Sequence, residues 1–237
     1  MFYNLNASFF ENIQKIFSTG KYINVILHGF GNTILMSLGA AAIGLILGSM
    51  VAIIQILPKN KWLTVPKALC SAYTTIIRGT PVALQLFIMS YVIFAIRGFP
   101  EIITAIIGFG FNSGAYVSES IRGGLMSVDK GQIEAGRSLG LNGRQTMIKI
   151  VLPQGMKNVI PAIGNELIAL IKETSVVSMV GGVIDLTNAA KNLGAGNNLA
   201  TYLAPMVVVA MFYLVIVYFV VFLIKMIERR LRKGDKR

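Results

Sequence analysis

Residues Glu134–Pro153 read EAGRSLGLNGRQTMIKIVLP, a polar and basic stretch set between strongly apolar segments. Two short helices are written into this stretch and its approach. Asp129 is placed to N-cap the first, with Gln132 three residues on as a capping-box-like partner. Gly140 follows that helix at the position where a positive φ is commonly needed. Asn142 is placed to cap the next helix, and Gln145 again stands three residues later. Ile150–Leu152 and Pro153 then lead back into apolar sequence. The spacing predicts a helix–glycine turn–helix elbow. A loop that merely joins two segments needs neither this length nor two caps.

The flanking sequence says what the elbow protrudes from. The chain has 237 residues, 54% of them hydrophobic and 14% charged, with a mean hydropathy of +0.68. Soluble chains carry about 25% charged residues. Several apolar runs exceed the roughly 18 residues that mark a membrane span. Five spans are expected, at Leu27–Leu57, Leu69–Ala95, Ile102–Ile121, Val159–Ile184 and Tyr202–Ile227. Asn112, Ser113 and Glu119 interrupt the third. The fold class is therefore an all-α polytopic membrane protein. Residues 1–25 form an N-terminal amphipathic segment, because Phe9, Phe10, Ile13 and Ile16 fall at near-helical spacing. Met1–Gly20 holds polar residues throughout and does not read as a cleavable signal peptide. Residues 26–227 form the transmembrane domain, interrupted by a loop of about 127–153, and 228–237 form a basic tail.

The net charge of +12 invites a nucleic-acid partner, but the placement of the charge argues for a membrane and no nucleic acid. Of the 22 Lys and Arg residues, 16 lie in Leu57–Lys67, Arg122–Lys157 and the tail from Lys225. Only Lys15, Lys21, Arg97 and Lys191 lie on the opposite side, and Arg78 and Lys172 fall within spans. By the positive-inside rule the first set is cytoplasmic. The N-terminus is then outside, the C-terminus is cytoplasmic, and the number of spans is odd. A single cysteine, Cys70, excludes an internal disulfide, and a single histidine, His28, excludes a multi-histidine metal site.

With its spacing from Glu134-Ala135 through Gly140 to Ile150-x-Leu152-Pro153, the elbow resembles the EAA loop of permease subunits in ATP-binding-cassette (ABC) importers. Gly136 departs from the pattern, which usually has alanine there. Arg78-Gly79-Thr80-Pro81 followed by Gln85 resembles the signature of the polar amino acid permeases. So do Ser118–Gly124, Gly131-Gln132, Asn165-Glu166 and Lys172–Ser175, where Glu173 replaces the usual aspartate. The resemblance covers about Gly29 to Ile227. It implies a type I ABC importer permease fold in which the elbow is a cytoplasmic coupling helix. By that resemblance Glu134, Ala135 and Leu139 dock on the ATPase, and Gly140 and Leu141 make the turn. Arg137 and Arg144 either pair with acidic residues of the ATPase or are solvated.

Charges inside apolar spans point to a pathway. Arg78 lies about 16 Å along a helix from Lys67, near the middle of a roughly 30 Å hydrocarbon layer. Gly79 and Pro81 interrupt the helix there, and Arg78 either caps carbonyls freed at the kink or lines the pathway. Glu166, Lys172 and Glu173 sit among Ile, Val, Ala and Gly. Ionised groups at such depth seldom face lipid. Glu173 returns nearly to the face of Glu166, and Lys172 stacks on Asn165. Thr174 or Ser175 is placed to cap a restarted helix, with a break at Lys172–Glu173. These groups suit a zwitterionic cargo, with a glutamate for the ammonium and Lys172 or free helix amides for the carboxylate. The alternative is an internal Lys172–glutamate pair, or a salt bridge across a dimer. Gly44 and Gly48 form a G-x-x-x-G pair suited to close helix packing.

The expected function is the permease subunit of an ATP-driven importer of polar amino acids working by alternating access. The expected substrate contacts are Arg78, Gln85, Asn165, Glu166, Lys172 and Glu173. No G-x-x-x-x-G-K-[ST] phosphate loop occurs, so the chain is not itself an enzyme and carries no cofactor. ATP and Mg belong to a partner. The implied partners are two ABC ATPase subunits, a second permease subunit (this chain or a paralogue), an extracytoplasmic amino-acid-binding protein and membrane lipid. The implied location is the bacterial cytoplasmic membrane. Two other readings fit the midplane charges or the elbow: an ion-gradient-driven secondary transporter, and a non-transporting scaffold that recruits a soluble partner.

Overall fold

A computed structural model describes residues 2–58, 60–195 and 201–232, and these are helix, turn or irregular, with no strand among them. The helices are α1 (Phe2–Ser18), α2 (Gly20–Ile56), α3 (Thr64–Gly79), α4 (Val82–Ile88) and α5 (Glu101–Met126). There follow α6 (Lys130–Ser138), α7 (Gly143–Thr146), α8 (Leu152–Glu173), α9 (Val177–Val180), α10 (Leu186–Gly194) and α11 (Leu203–Arg232). Two compact units are present: residues 1–40, 82–109 and 169–219, and residues 41–81, 110–168 and 220–237. We call them the α10 unit and the elbow unit.

By length and composition α2 and α11 can each cross a membrane, and the bent pair Lys61–Gly79 and Val82–Ile93 makes a third candidate. Of the five spans expected, the third and fourth correspond to α5 and α8, of 26 and 22 residues. Both reach across a hydrocarbon layer at 1.5 Å per residue, but both carry charged groups. Several polar residues of α5 are turned inward: Asn112, Ser113 and Ser118 are buried. On α11, by contrast, Val215, Tyr218, Phe219 and Phe222 are exposed, as suits a helix facing lipid.

The α10 unit is built on an apolar cluster of Ile16, Ile26, Leu186, Ala190, Leu193, Ala204, Val208 and Val209. Ile16 is fully buried, so α1 packs into this unit through one face and does not lie free on a surface. It ends at Ser18, and the Thr19 carbonyl accepts from Tyr22 N at 2.9 Å as α2 starts. Buried Asp185 N-caps α10 by accepting from Thr187 N and Asn188 N, each at 2.9 Å. Asn32 and Thr33 of α2 bond the flanking Ile184 O and Leu186 N.

The elbow unit brings α2 against α5. A Cβ on Gly44 would stand 2.6 Å from Ser113 Oγ, and one on Gly48 would stand 2.7 Å from Val117 Cβ. The two expected small positions thus allow close backbone approach.

Two expected spans are interrupted. The second breaks where glycine and proline predict: α3 ends at Gly79, Thr80 is extended at φ −121° and ψ 147°, and α4 starts after Pro81. The fourth does not break at Lys172–Glu173. Glu173 remains helical at φ −66° and ψ −25°, and a 3₁₀ turn at Thr174–Val176 runs on into α9. The hydroxyls of Thr174 and Ser175 donate back to Ile171 O (2.8 Å) and Lys172 O (2.7 Å). They tighten the existing helix and do not cap a new one. The interruption falls later, at Gly181 and Gly182, whose φ values of 89° and 79° favour glycine.

Candidate coupling elbow and mid-span charges

The elbow forms as its caps dictate. Asp129 caps α6 by accepting from Gly131 N at 2.7 Å. Its expected box with Gln132 is absent, because the Gln132 side chain accepts instead from Gln154 Nε2 at 3.5 Å. At the other end, Gly140 takes φ 81°. Gly140 N donates to Arg137 O (2.9 Å) and Leu141 N to Gly136 O (3.1 Å). This pair of bonds is a Schellman stop, which satisfies carbonyls that α6 would otherwise leave open. Asn142 and Gln145 then make a full reciprocal box, at 2.9 and 3.0 Å.

The second helix of the elbow leads past Pro153 into α8. After α7 the chain makes a π turn at Met147–Val151, with Leu152 N reaching Met147 O, and continues directly as α8. The wider turn resets the hydrogen-bond ladder just before a proline that has no N–H to contribute. Gly136 is the buried residue of α6, and a Cβ there would meet Ile150 Cδ1 at 2.5 Å. The departure from alanine is therefore matched by an isoleucine that fills the space. Leu141 packs toward the same spot. Glu134, Ala135, Arg137, Gly140 and Arg144 are exposed, and Leu139 is 83% exposed. The tip thus presents an apolar knob flanked by both signs of charge.

The mid-span candidates divide between the units. The elbow unit holds Arg78 on α3 and Asn165 and Glu166 on α8. Asn165 is exposed and Glu166 half-buried. The α10 unit holds half-buried Gln85 on α4, and exposed Lys172 and half-buried Glu173 at the end of α8. The carbonyl of Ile76 at the α3 break is taken by Thr80 Oγ1 at 2.8 Å. Arg78 Nη1 lies instead 3.6 Å from Glu119 Oε2, with its guanidinium 5.5 Å from the Tyr116 ring centroid. Glu119 is also held by Arg122, with Nη2 donating to Oε2 at 2.6 Å and Nε to Oε1 at 3.3 Å. The sequence placed Glu119 and Arg122 in the Ser118–Gly124 stretch but gave neither them nor Tyr116 a part in a site. The three-residue spacings 116–119–122 place them on one face of α5 and were the available signal.

The family of binding-protein-dependent transport system inner membrane components matches residues 44–233. The chain belongs to this family. Among curated relatives, it is 36% identical over 220 residues to the arginine transport system permease protein ArtQ of Bacillus subtilis. That match covers 92% of this chain and 97% of ArtQ. It is 37% identical over 209 residues to the putative glutamine transport system permease protein GlnP of Rickettsia typhi, covering 87% and 92%. A solved structure described as an amino acid ABC transporter with histidines matches at TM-score 0.80 and 33% identity, covering 91% of this chain and 98% of that one. The MetNI methionine ABC transporter matches at TM-score 0.73 and 20% identity, a likeness of fold alone.

The all-α permease fold expected from the sequence is thus the observed one, and this inner membrane component is a multi-pass protein. Its elbow offers a direct test of local structure. Asn142→Ala removes one half of the capping box and is expected to destabilise the elbow by about 1 kcal/mol. Amide exchange at residues 142–147 should accelerate roughly fivefold, while exchange in α2 stays unchanged. Unaltered exchange at those amides would show that the box does not hold the elbow.

Proposed function

We propose that this inner membrane component is the permease subunit of an ATP-driven importer that moves polar amino acids into the cytoplasm by alternating access. The observation that carries the proposal is the elbow: a doubly capped, exposed projection with a rigid stop at Gly140 and an unburied Leu139 at its tip. An exposed leucine beside mixed charges suits a cleft on a soluble partner. We assign Glu134, Ala135 and Leu139 to docking on a separate ATPase, Arg137 to pairing with its acidic groups, and Gly140 and Leu141 to the turn that sets the angle. Two ATPase subunits supply ATP and Mg chemistry. A second permease subunit, of this chain or a paralogue, completes the pathway, and an extracytoplasmic binding protein delivers cargo.

The names of the relatives, arginine and glutamine among them, support an amino acid as cargo. The groups that we propose contact it are Arg78, Asn165 and Glu166 in the elbow unit and Lys172, Glu173 and Gln85 in the α10 unit. The distribution of lysine and arginine supports a cytoplasmic elbow and C-terminus with the N-terminus outside. Residues 1–25 are an N-terminal amphipathic segment and 228–237 a basic cytoplasmic tail, with residue 1 and residues 233–237 outside the described residues.

ATP binding closes the ATPase pair, the elbows carry that movement into the spans, and hydrolysis resets the inward-open state. Affinity purification of the tagged chain from its own membranes in mild detergent tests this. One ATPase per permease is the expected stoichiometry. Recovery with no ATPase, under conditions that preserve other importers, would overturn the assignment and favour a gradient-driven transporter.

A further inference from the structure

In the elbow unit one carboxylate faces two guanidinium groups and serves them unequally. Arg122 takes both oxygens of Glu119 in hydrogen bonds of 2.6 and 3.3 Å. Arg78 approaches Oε2 only to 3.6 Å, beyond hydrogen-bond reach. Its guanidinium is oriented by the Tyr116 ring, which lies one turn before Glu119 on α5. Side chains of Arg78 and Glu119 are 44% and 22% exposed, and both border a cavity of about 630 Å³. Thr74, Thr75, Ser71 and Gln55 add hydroxyl and amide groups to the wall. Lys67 also borders it, but its ammonium is turned to the carbonyls of Gln55 and Leu57 at the end of α2.

We infer that Glu119 is an internal competitor for the carboxylate of the cargo at Arg78. Without cargo, Glu119 keeps the Arg78 charge from standing unpaired in the cavity wall. An incoming carboxylate offers Arg78 two parallel hydrogen bonds where Glu119 offers a loose ion pair. Arg78 turns to the cargo, and Arg122 keeps Glu119 in place to take Arg78 back on release. The arrangement selects for a carboxylate, because a cargo without one has nothing to set against Glu119. This inference rests on the reading that Arg78 contacts cargo.

Equilibrium binding to the permease–ATPase complex in lipid nanodiscs, without the binding protein, tests it. The probes are radiolabelled L-arginine and L-glutamine, each against its carboxamide, in which the carboxylate is lost. A partly exposed ion pair of this kind shifts an equilibrium by roughly two- to fivefold. Glu119→Gln is expected to tighten acid binding by that factor and leave carboxamide binding unchanged. Arg122→Gln frees Glu119 for Arg78 and is expected to weaken acid binding by a similar factor. Arg78→Gln is expected to erase the preference for acid over carboxamide.

The two readings fail differently. An acid preference that survives Arg78→Gln, or no binding of either probe to the wild-type complex, would remove Arg78 from the cargo site. An erased preference, with Glu119 and Arg122 variants that shift binding in one common direction or not at all, would leave Arg78 in place and sink the competitor role. If Glu119→Gln does not assemble, Arg122→Gln decides alone: only competition weakens acid binding while sparing the carboxamide.

Discussion

Replacing Glu134 with lysine is expected to abolish ATP-dependent uptake in reconstituted vesicles while leaving the permease folded. The residue is exposed on α6, so its side chain contributes no core packing. Lysine and glutamate have nearly the same helix propensity, so the helix survives the exchange. On the proposed docking role, the effect arises where the elbow would meet the ATPase. Charge reversal in a buried, hydrogen-bonded contact between proteins costs about 2–5 kcal/mol. Uptake should fall by roughly thirtyfold or more, with the unfolding midpoint of the isolated permease unchanged. Wild-type uptake with the ATPase still bound would strip Glu134 of the docking role and move attention to Leu139, the most exposed apolar group of the tip.

Gly48→Leu is expected to give the largest loss of stability. A Cβ at Gly48 would lie 2.7 Å from Val117 Cβ and 2.8 Å from the backbone oxygen of Gly114. The first neighbour can shift, but a helix backbone cannot do so without moving α5. Overpacking of this kind costs about 1–3 kcal/mol in well-packed interiors, and more when the obstacle is main chain. The variant should lose most of its folded yield, and whatever remains should unfold in detergent several degrees below wild type. Gly48→Ala adds the same Cβ without the branched end and should lie between the two. A leucine variant as stable as wild type would show that α2 and α5 do not depend on this approach.

The outcome at Glu134 bears on the proposed docking, and the outcome at Gly48 on the packing of α2 against α5. A permease that fails in the first way should still bind cargo. One that fails in the second should lose cargo binding, ATPase binding and uptake together.

Much of the elbow was legible because its signals are local. Asn142 and Gln145 are three residues apart, and a box follows from backbone geometry alone. Gly140 likewise marks a stop that needs only a left-handed residue. The Asp129–Gln132 pair had the same spacing and failed, because Gln132 found Gln154, 22 residues away. The short-range pattern could not register that competitor. The same limit explains the expected break at Lys172–Glu173: hydroxyls after a charged pair can cap a new helix or bond back into the old one, and here they bond back.

The sequence by itself determined an all-α membrane protein, the elbow, the interruption at Gly79–Pro81 and the family. Each rests on hydropathy, on spacing within one helical turn, or on residues whose backbone freedom is fixed by their own chemistry. Only the tertiary structure decided which charge meets which. At the α3 break Thr80 takes the Ile76 carbonyl, and Arg78 stands beside Glu119 of α5. The partners lie 41 positions apart on different helices. No helical period links them, so their pairing is decided by how α3 and α5 pack.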